Sequence, residues 1–157
     1  MGKILSSMDS LNTDLLNAFD KIIPSNINIV GITVKEVIQY LQKSYGNINE
    51  DIIFELRVIL NELILNAVIH GNKADVGKNV KITSGLTKKK CAFVIVADDG
   101  EGYNYDYLLK KCKEPESMLC FNHLTENGRG ILIVKSLCEQ IEFNKKGNKV
   151  LVIKKLE

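Results

Sequence analysis

The stretch Leu60-Asn61-Glu62-Leu63-Ile64-Leu65-Asn66-Ala67-Val68-Ile69-His70-Gly71-Asn72 sets three polar side chains, Glu62, Asn66 and His70, four residues apart in an apolar run. At 3.6 residues per turn the spacing predicts a carboxylate, a carboxamide and an imidazole along one helical stripe. Val58, Ile59, Leu63, Ile64, Ala67 and Val68 occupy the other faces, so the helix is expected to be mostly buried. Buried polar groups are costly without partners, and three in register suggest a stripe that faces a ligand. The alternative is that the stripe is the solvated edge of a core helix. Two glycine-rich segments downstream, Asp98-Asp99-Gly100-Glu101-Gly102 and Gly128-Arg129-Gly130, favour the ligand.

Upstream of this helix, which is expected from Glu50 to about His70 with Asn49 as N-cap, the apolar residues from Asn28 to Tyr45 repeat with helical period until Gly46-Asn47 ends them. Lys21 to Pro24 reads as a short edge strand, since Pro24 cannot donate to a ladder. Residues 1–20 read as a tail or short amphipathic helix, with Leu11, Leu15, Leu16 and Phe19 on one side, ahead of a single domain at 21–157.

Downstream, Val80 to Ser84 and Ala92 to Ala97 are expected strands, and the second is apolar without a break, as a central strand would be. From Tyr103 to Asn127 no period is sustained, which predicts a lid or binding loop. A helix from Gly130 to Cys138 and a hairpin of Gln140–Asn144 with Val150–Lys154 across Lys146-Gly147-Asn148 complete the chain.

Composition sets bounds on function. A chain of 157 residues buries roughly 70% of its unfolded surface and needs no staple. A net charge of +2 gives no argument for nucleic acid or an anionic membrane. Cys91, Cys112, Cys120 and Cys138 show no Cys-x-x-Cys spacing, and with two histidines, His70 and His123, they make no zinc set. No signal peptide or membrane-spanning run is present in this reading, and the expectation is a cytosolic protein with reduced thiols.

Asp98 closes an apolar strand, and the glycines after it allow a ligand to approach the backbone closely. A carboxylate there can accept a hydrogen bond from an exocyclic amine such as that of adenine. Gly128-Arg129-Gly130 reads as a glycine loop before a helix N-terminus, where backbone N–H groups and the helix dipole favour phosphate, with Arg129 able to add a charge-assisted contact.

The ordered set Glu62-x-x-x-Asn66, Asp98-x-Gly100-x-Gly102 and Gly128-x-Gly130 resembles the nucleotide boxes of the GHKL ATP-binding superfamily, which joins gyrase and MutL to histidine kinases. With Asn66-Ala67 before His70-Gly71-Asn72, it is most similar to the anti-sigma-factor serine/threonine-protein kinases. The resemblance implies a two-layer α/β sandwich of the α+β class, with helices on one face of a mixed, mostly antiparallel sheet. It implies ATP and Mg²⁺ as cofactors, with Asn66 on the metal, Asp98 on the adenine amine, Gly100 and Gly102 shaping the adenine pocket, and Gly128 and Gly130 hinging the lid. Glu62 matches the general base. The implied partners are a sigma factor and an anti-sigma-factor antagonist, with a homodimer as one option and no nucleic acid. Two departures stand out: Gly147-Asn148-Lys149-Val150 lacks the threonine that often supports the aspartate, and Asp99 adds a charge beside Asp98. A non-catalytic module whose partner affinity follows ATP is the alternative function, and a histidine kinase core is disfavoured because no helical hairpin carries a phospho-acceptor histidine.

Overall fold

Ala92–Asp98 forms the central strand of the protein, and every residue from Ala92 to Val96 is buried. Both of its faces are covered, which explains why its sequence is apolar without alternation. The computed structural model describes residues 18–105 and 126–157. Within them the order is β1 (Phe19–Pro24), α1 (Ile27–Tyr45), α2 (Glu50–Leu65), a π-helical turn (Asn66–Gly71), β2 (Asn79–Leu86), β3 (Ala92–Asp98), α3 (Glu126–Leu137), β4 (Gln140–Phe143) and β5 (Lys149–Lys154).

The strands lie in the order β1-β2-β3-β5-β4. All four pairings are antiparallel, so the parallel component of the expected mixed sheet is absent among the described residues. The helices pack on the face presented by Ile23, Val80, Ile82, Val94, Val96, Val150 and Val152, and with Val37, Leu41, Leu56, Leu60 and Ile64 they form the main core. Phe93, Ile95 and Leu151 point the other way and form a smaller cluster with Ala18 and Ile153.

The caps follow the sequence. Asn49 Oδ1 accepts from the Asp51 N–H at 2.8 Å, and Asn26 caps α1 in the same manner. Gly46, with φ of +106°, closes α1 and donates to the Gln42 carbonyl, a left-handed stop suited to glycine. The edge strand starts at Phe19, two residues before the expected Lys21, because Phe19 pairs with Ser84 and packs against the core. The rest of the expected tail, residues 1–17, lies outside the described residues, as do residues 106–125 of the expected lid.

Two features tie the layers together. The nearly buried Lys154 Nζ donates to the Leu137 carbonyl at 2.7 Å, satisfying the end of α3, and is paired with Glu55 of α2. The expected continuous helix to His70 is instead α-helical only to Leu65 and π-helical from Asn66 to Gly71. Its last bond runs from the Asn72 N–H to the Ala67 carbonyl, five residues back. Lys73 and Ala74 follow with φ of 54° and 55°, a conformation that costs non-glycine residues about 1–2 kcal/mol each.

Candidate functional site

The widened turn decides where Gly71 and Asn72 land. Asn72 is fully buried and spends its whole side chain on the fold. Its amide nitrogen donates to Ser25 Oγ at 2.8 Å and to the Asn79 carbonyl at 2.9 Å, while its oxygen accepts from the Asp99 N–H at 2.8 Å. One residue earlier, Gly71 lies so close to the Asp98 carboxylate that a Cβ there would overlap it, and Gly100 in turn abuts the Gly71 carbonyl. These close approaches are what the glycines permit. Wide π-type turns concentrate at functional sites, and this one fastens the helix to the aspartate turn.

Asp98 itself is held from three directions. Its Oδ1 accepts from the Gly100 N–H at 2.8 Å, its backbone N–H donates to the Asn148 carbonyl at 2.9 Å, and its carbonyl accepts from Asn148 Nδ2 at 3.1 Å. Asn148 therefore braces Asp98 through the backbone, where a threonine was missing from the sequence. Asn148 is fixed by Asn144, whose side-chain oxygen accepts from the N–H groups of Gly147, Asn148 and Lys149. Gly102 (φ +89°) and Gly147 (φ +80°) are pressed against the backbone of Lys146 and Tyr103 respectively, locking the aspartate turn to the β4–β5 turn. Asp99 does not crowd a ligand, because its Oδ2 accepts from the Asn79 N–H at 2.8 Å.

Burial pushes the Asp98 carboxyl up from its ordinary value; the Gly100 N–H opposes this, Asp99 reinforces it, and Lys146 and Lys78 oppose it more weakly. A partly desolvated carboxylate of this kind is a strong hydrogen-bond acceptor for a ligand donor.

Asp98 and Asn66 line one small cavity together with apolar Leu63, Ala67, Val96, Ile131 and Val150. Asn66 also lines a second, open cleft of about 290 Å³ with Glu62, His70, Arg129 and Gly130. The structure thus brings Glu62, Asn66 and His70 onto one cleft despite the change of helical period, with Asn66 at the junction of the two cavities. Asn66 Nδ2 is the one buried side-chain polar atom among the described residues left without a hydrogen bond, a condition that calls for a ligand or water. Neither the Glu62 carboxylate nor the Arg129 guanidinium takes part in an ion pair among the described residues.

The second glycine segment differs from expectation. Gly128 and Gly130 do not precede the helix but lie inside its first turns, since α3 begins at Glu126. The physical reason is packing: α3 lies against α2, and a Cβ on Gly130 would overlap the Glu62 carboxylate. Arg129 is exposed, Gly128 is buried and lines neither cavity, and Gly100 and Gly102 line neither the small cavity nor the cleft. Asn72, Asn144, Gly147 and Asn148 were not singled out as site residues from the sequence. The signal for Asn72 was its place directly after His70-Gly71, and for the others the tight Asn-Lys-Lys-Gly-Asn turn.

A family model described as "Histidine kinase-like ATPase domain" matches residues 31–154. The chain is 26% identical over 150 residues to the serine-protein kinase RsbW of Bacillus thuringiensis (strain Al Hakam), with 91% of this chain and 89% of that protein covered. RsbW of Bacillus anthracis (strain A0248) matches to the same extent. Among solved structures, the histidine kinase domain of the Erythrobacter litoralis EL346 blue-light activated histidine kinase superposes with a TM-score of 0.51 at 17% identity. That superposition covers 85% of this chain and 62% of the other, and it is a likeness of fold.

Proposed function

The chain belongs to the histidine kinase-like ATPase domain family, and from that premise we propose that it is a Mg-ATP-dependent serine/threonine protein kinase acting as an anti-sigma factor. In this reading it holds a sigma factor and transfers the γ-phosphoryl group of ATP to a serine of an anti-sigma-factor antagonist. The observation that carries it is a carboxylate and a carboxamide, Glu62 and Asn66, side by side on an open cleft, with no ion pair on the first and no hydrogen bond on the buried amide of the second among the described residues, and with Asn66 also lining the cavity that holds Asp98. The similarity to the Bacillus serine-protein kinases over nine-tenths of the chain supports the same choice.

The residues divide the work. Asp98 accepts a hydrogen bond from the exocyclic amine of the base, and its backbone braces keep that acceptor in place. The buried, unsatisfied carboxamide of Asn66 fits a group that brings its own oxygens: its nitrogen can donate to phosphate, and its oxygen is a hard ligand for Mg²⁺. When bound, the metal neutralises charge on the phosphates, which is most of what phosphoryl transfer requires beyond positioning. Glu62, one turn earlier and without an ion pair among the described residues, takes the proton of a serine hydroxyl entering through the cleft. Arg129, on the rim of the same cleft, offers a guanidinium to the phosphate being transferred.

Incubation with labelled ATP, Mg²⁺ and small antagonist-like proteins encoded nearby tests the proposal. Label on a serine of one of them, lost with Glu62→Gln, is the expected result. ATP-dependent binding of a sigma factor with no label on any candidate would replace the kinase by a non-catalytic binding module.

A further inference from the structure

The cavity floored by Asp98 has room for about 20 Å³, the space of about one water molecule. A purine does not fit it. One wall of it is Tyr105, which is 9% exposed and belongs to the main core. Its ring lies on that of Phe143 with centroids 4.1 Å apart and planes at 14°, while the Tyr103 ring tilts against it at 5.0 Å. A near-parallel stack at this separation is how one flat aromatic ring sits on another. Tyr105 and Phe143 also line an open groove of about 390 Å³ with Glu101 to Asn104 and Asn144 to Lys146. Both rings of the stack therefore line the small cavity and the open groove alike.

We propose that Phe143 is the stacking platform of the nucleobase site and that the Tyr105 ring, stacked on it, competes with the base for that face. The proposal rests on the ATP reading above. Tyr105 follows Gly102 by three residues, so the ring that must leave is tethered to the turn that carries the adenine-reading carboxylate. The apparent affinity for any adenine ligand is lowered by the fraction of molecules in which Tyr105 has vacated the site.

Calorimetry on the full chain with ADP, adenosine and inorganic tripolyphosphate tests this. Removing the ring with Tyr105→Ala should tighten ADP and adenosine roughly 10-fold, because the competitor is gone, and leave tripolyphosphate unchanged. Tyr105→Phe keeps the stack and should bind like wild type. Phe143→Leu should weaken ADP and adenosine, opposite in sign to Tyr105→Ala, with circular dichroism checking that both variants remain folded. Wild-type binding of ADP with equal or weaker binding by Tyr105→Ala would overturn the competitor while leaving the ATP reading intact. Tighter binding of tripolyphosphate in parallel with adenosine would also overturn it, since the effect would then not be on the base site. Absence of ADP binding by wild type and Tyr105→Ala alike would sink the ATP reading and this proposal with it.

Discussion

The two sides of the site are built in opposite ways. Around Asp98 nearly every polar group is used: Asn72, Asn79, Asn144, Asn148 and Asp99 are bonded to one another or to backbone, and the glycines are pressed against neighbouring chain. Around Glu62, Asn66 and Arg129 the groups stand open: among the described residues, one buried amide nitrogen is unsatisfied and neither the carboxylate nor the guanidinium has an ion pair. A side that recognises a fixed shape gains from rigidity, and buried networks that are fully satisfied give it. On the other side the same groups remain available to a ligand that brings its own partners. The difference teaches which substitutions should act on stability and which on chemistry.

The largest expected effect is on the open side. Glu62→Gln should lower antagonist phosphorylation by ~10²–10⁴-fold with ADP affinity and thermal stability unchanged. Wild-type rates would erase the distinction. On the bonded side, Gly102→Ala puts a side chain at φ +89° against the Lys146 carbonyl, which should cost about 1–3 kcal/mol in urea unfolding. A neutral result would mean that the two turns are not locked together.

Asp98→Asn should weaken ADP by about 1–3 kcal/mol in calorimetry, since an acceptor is lost from a site built to use it. The same residue gives a pH test. Only the ionised carboxylate offers both oxygens as acceptors, and burial raises its pKa. ADP affinity should therefore hold near neutrality and fall on acidification, beginning above the pH at which an exposed aspartate titrates, with Asp98→Asn flat over that window. The smallest stability effect belongs to Gly130→Ala. Its Cβ would overlap the end of the Glu62 side chain, which can swing aside, and would reach Asn66 Nδ2 only at an ordinary contact distance of 3.7 Å, so unfolding should shift by less than about 1 kcal/mol while phosphorylation falls. A large loss of stability there would show that the open side is as rigid as the other.

The residues that could be read in advance are those whose signal is local. The unbroken apolar run at Ala92–Ala97, the Asn49 cap, the Gly46 stop and the hairpin around Gly147 are one-dimensional patterns, and the structure carries each of them. The π-helical turn has no such signal, because Asn66 to Gly71 continues the apolar period of an ordinary helix. It is settled by where the next residues must go: Gly71 against Asp98, and Asn72 onto Ser25, 47 residues earlier in the chain. The start of α3 was misplaced for a related reason. Glycines usually mark a helix boundary, but here Gly130 lies inside the helix, where the absence of a Cβ lets the Glu62 carboxylate approach it.

By itself, then, the sequence determined the layers, the central strand and the boxes that carry the polar groups, because burial and glycine freedom act on residues close in the chain. Only the tertiary structure decided how those groups are used. Whether Asp99 turns to the Asn79 N–H, whether Asn148 can brace Asp98, and whether Tyr105 stacks on Phe143 are questions of contact between segments 20 to 50 residues apart. Such contacts form only when the packed layers bring the segments together, and that packing is a property of the whole core, which no local pattern encodes.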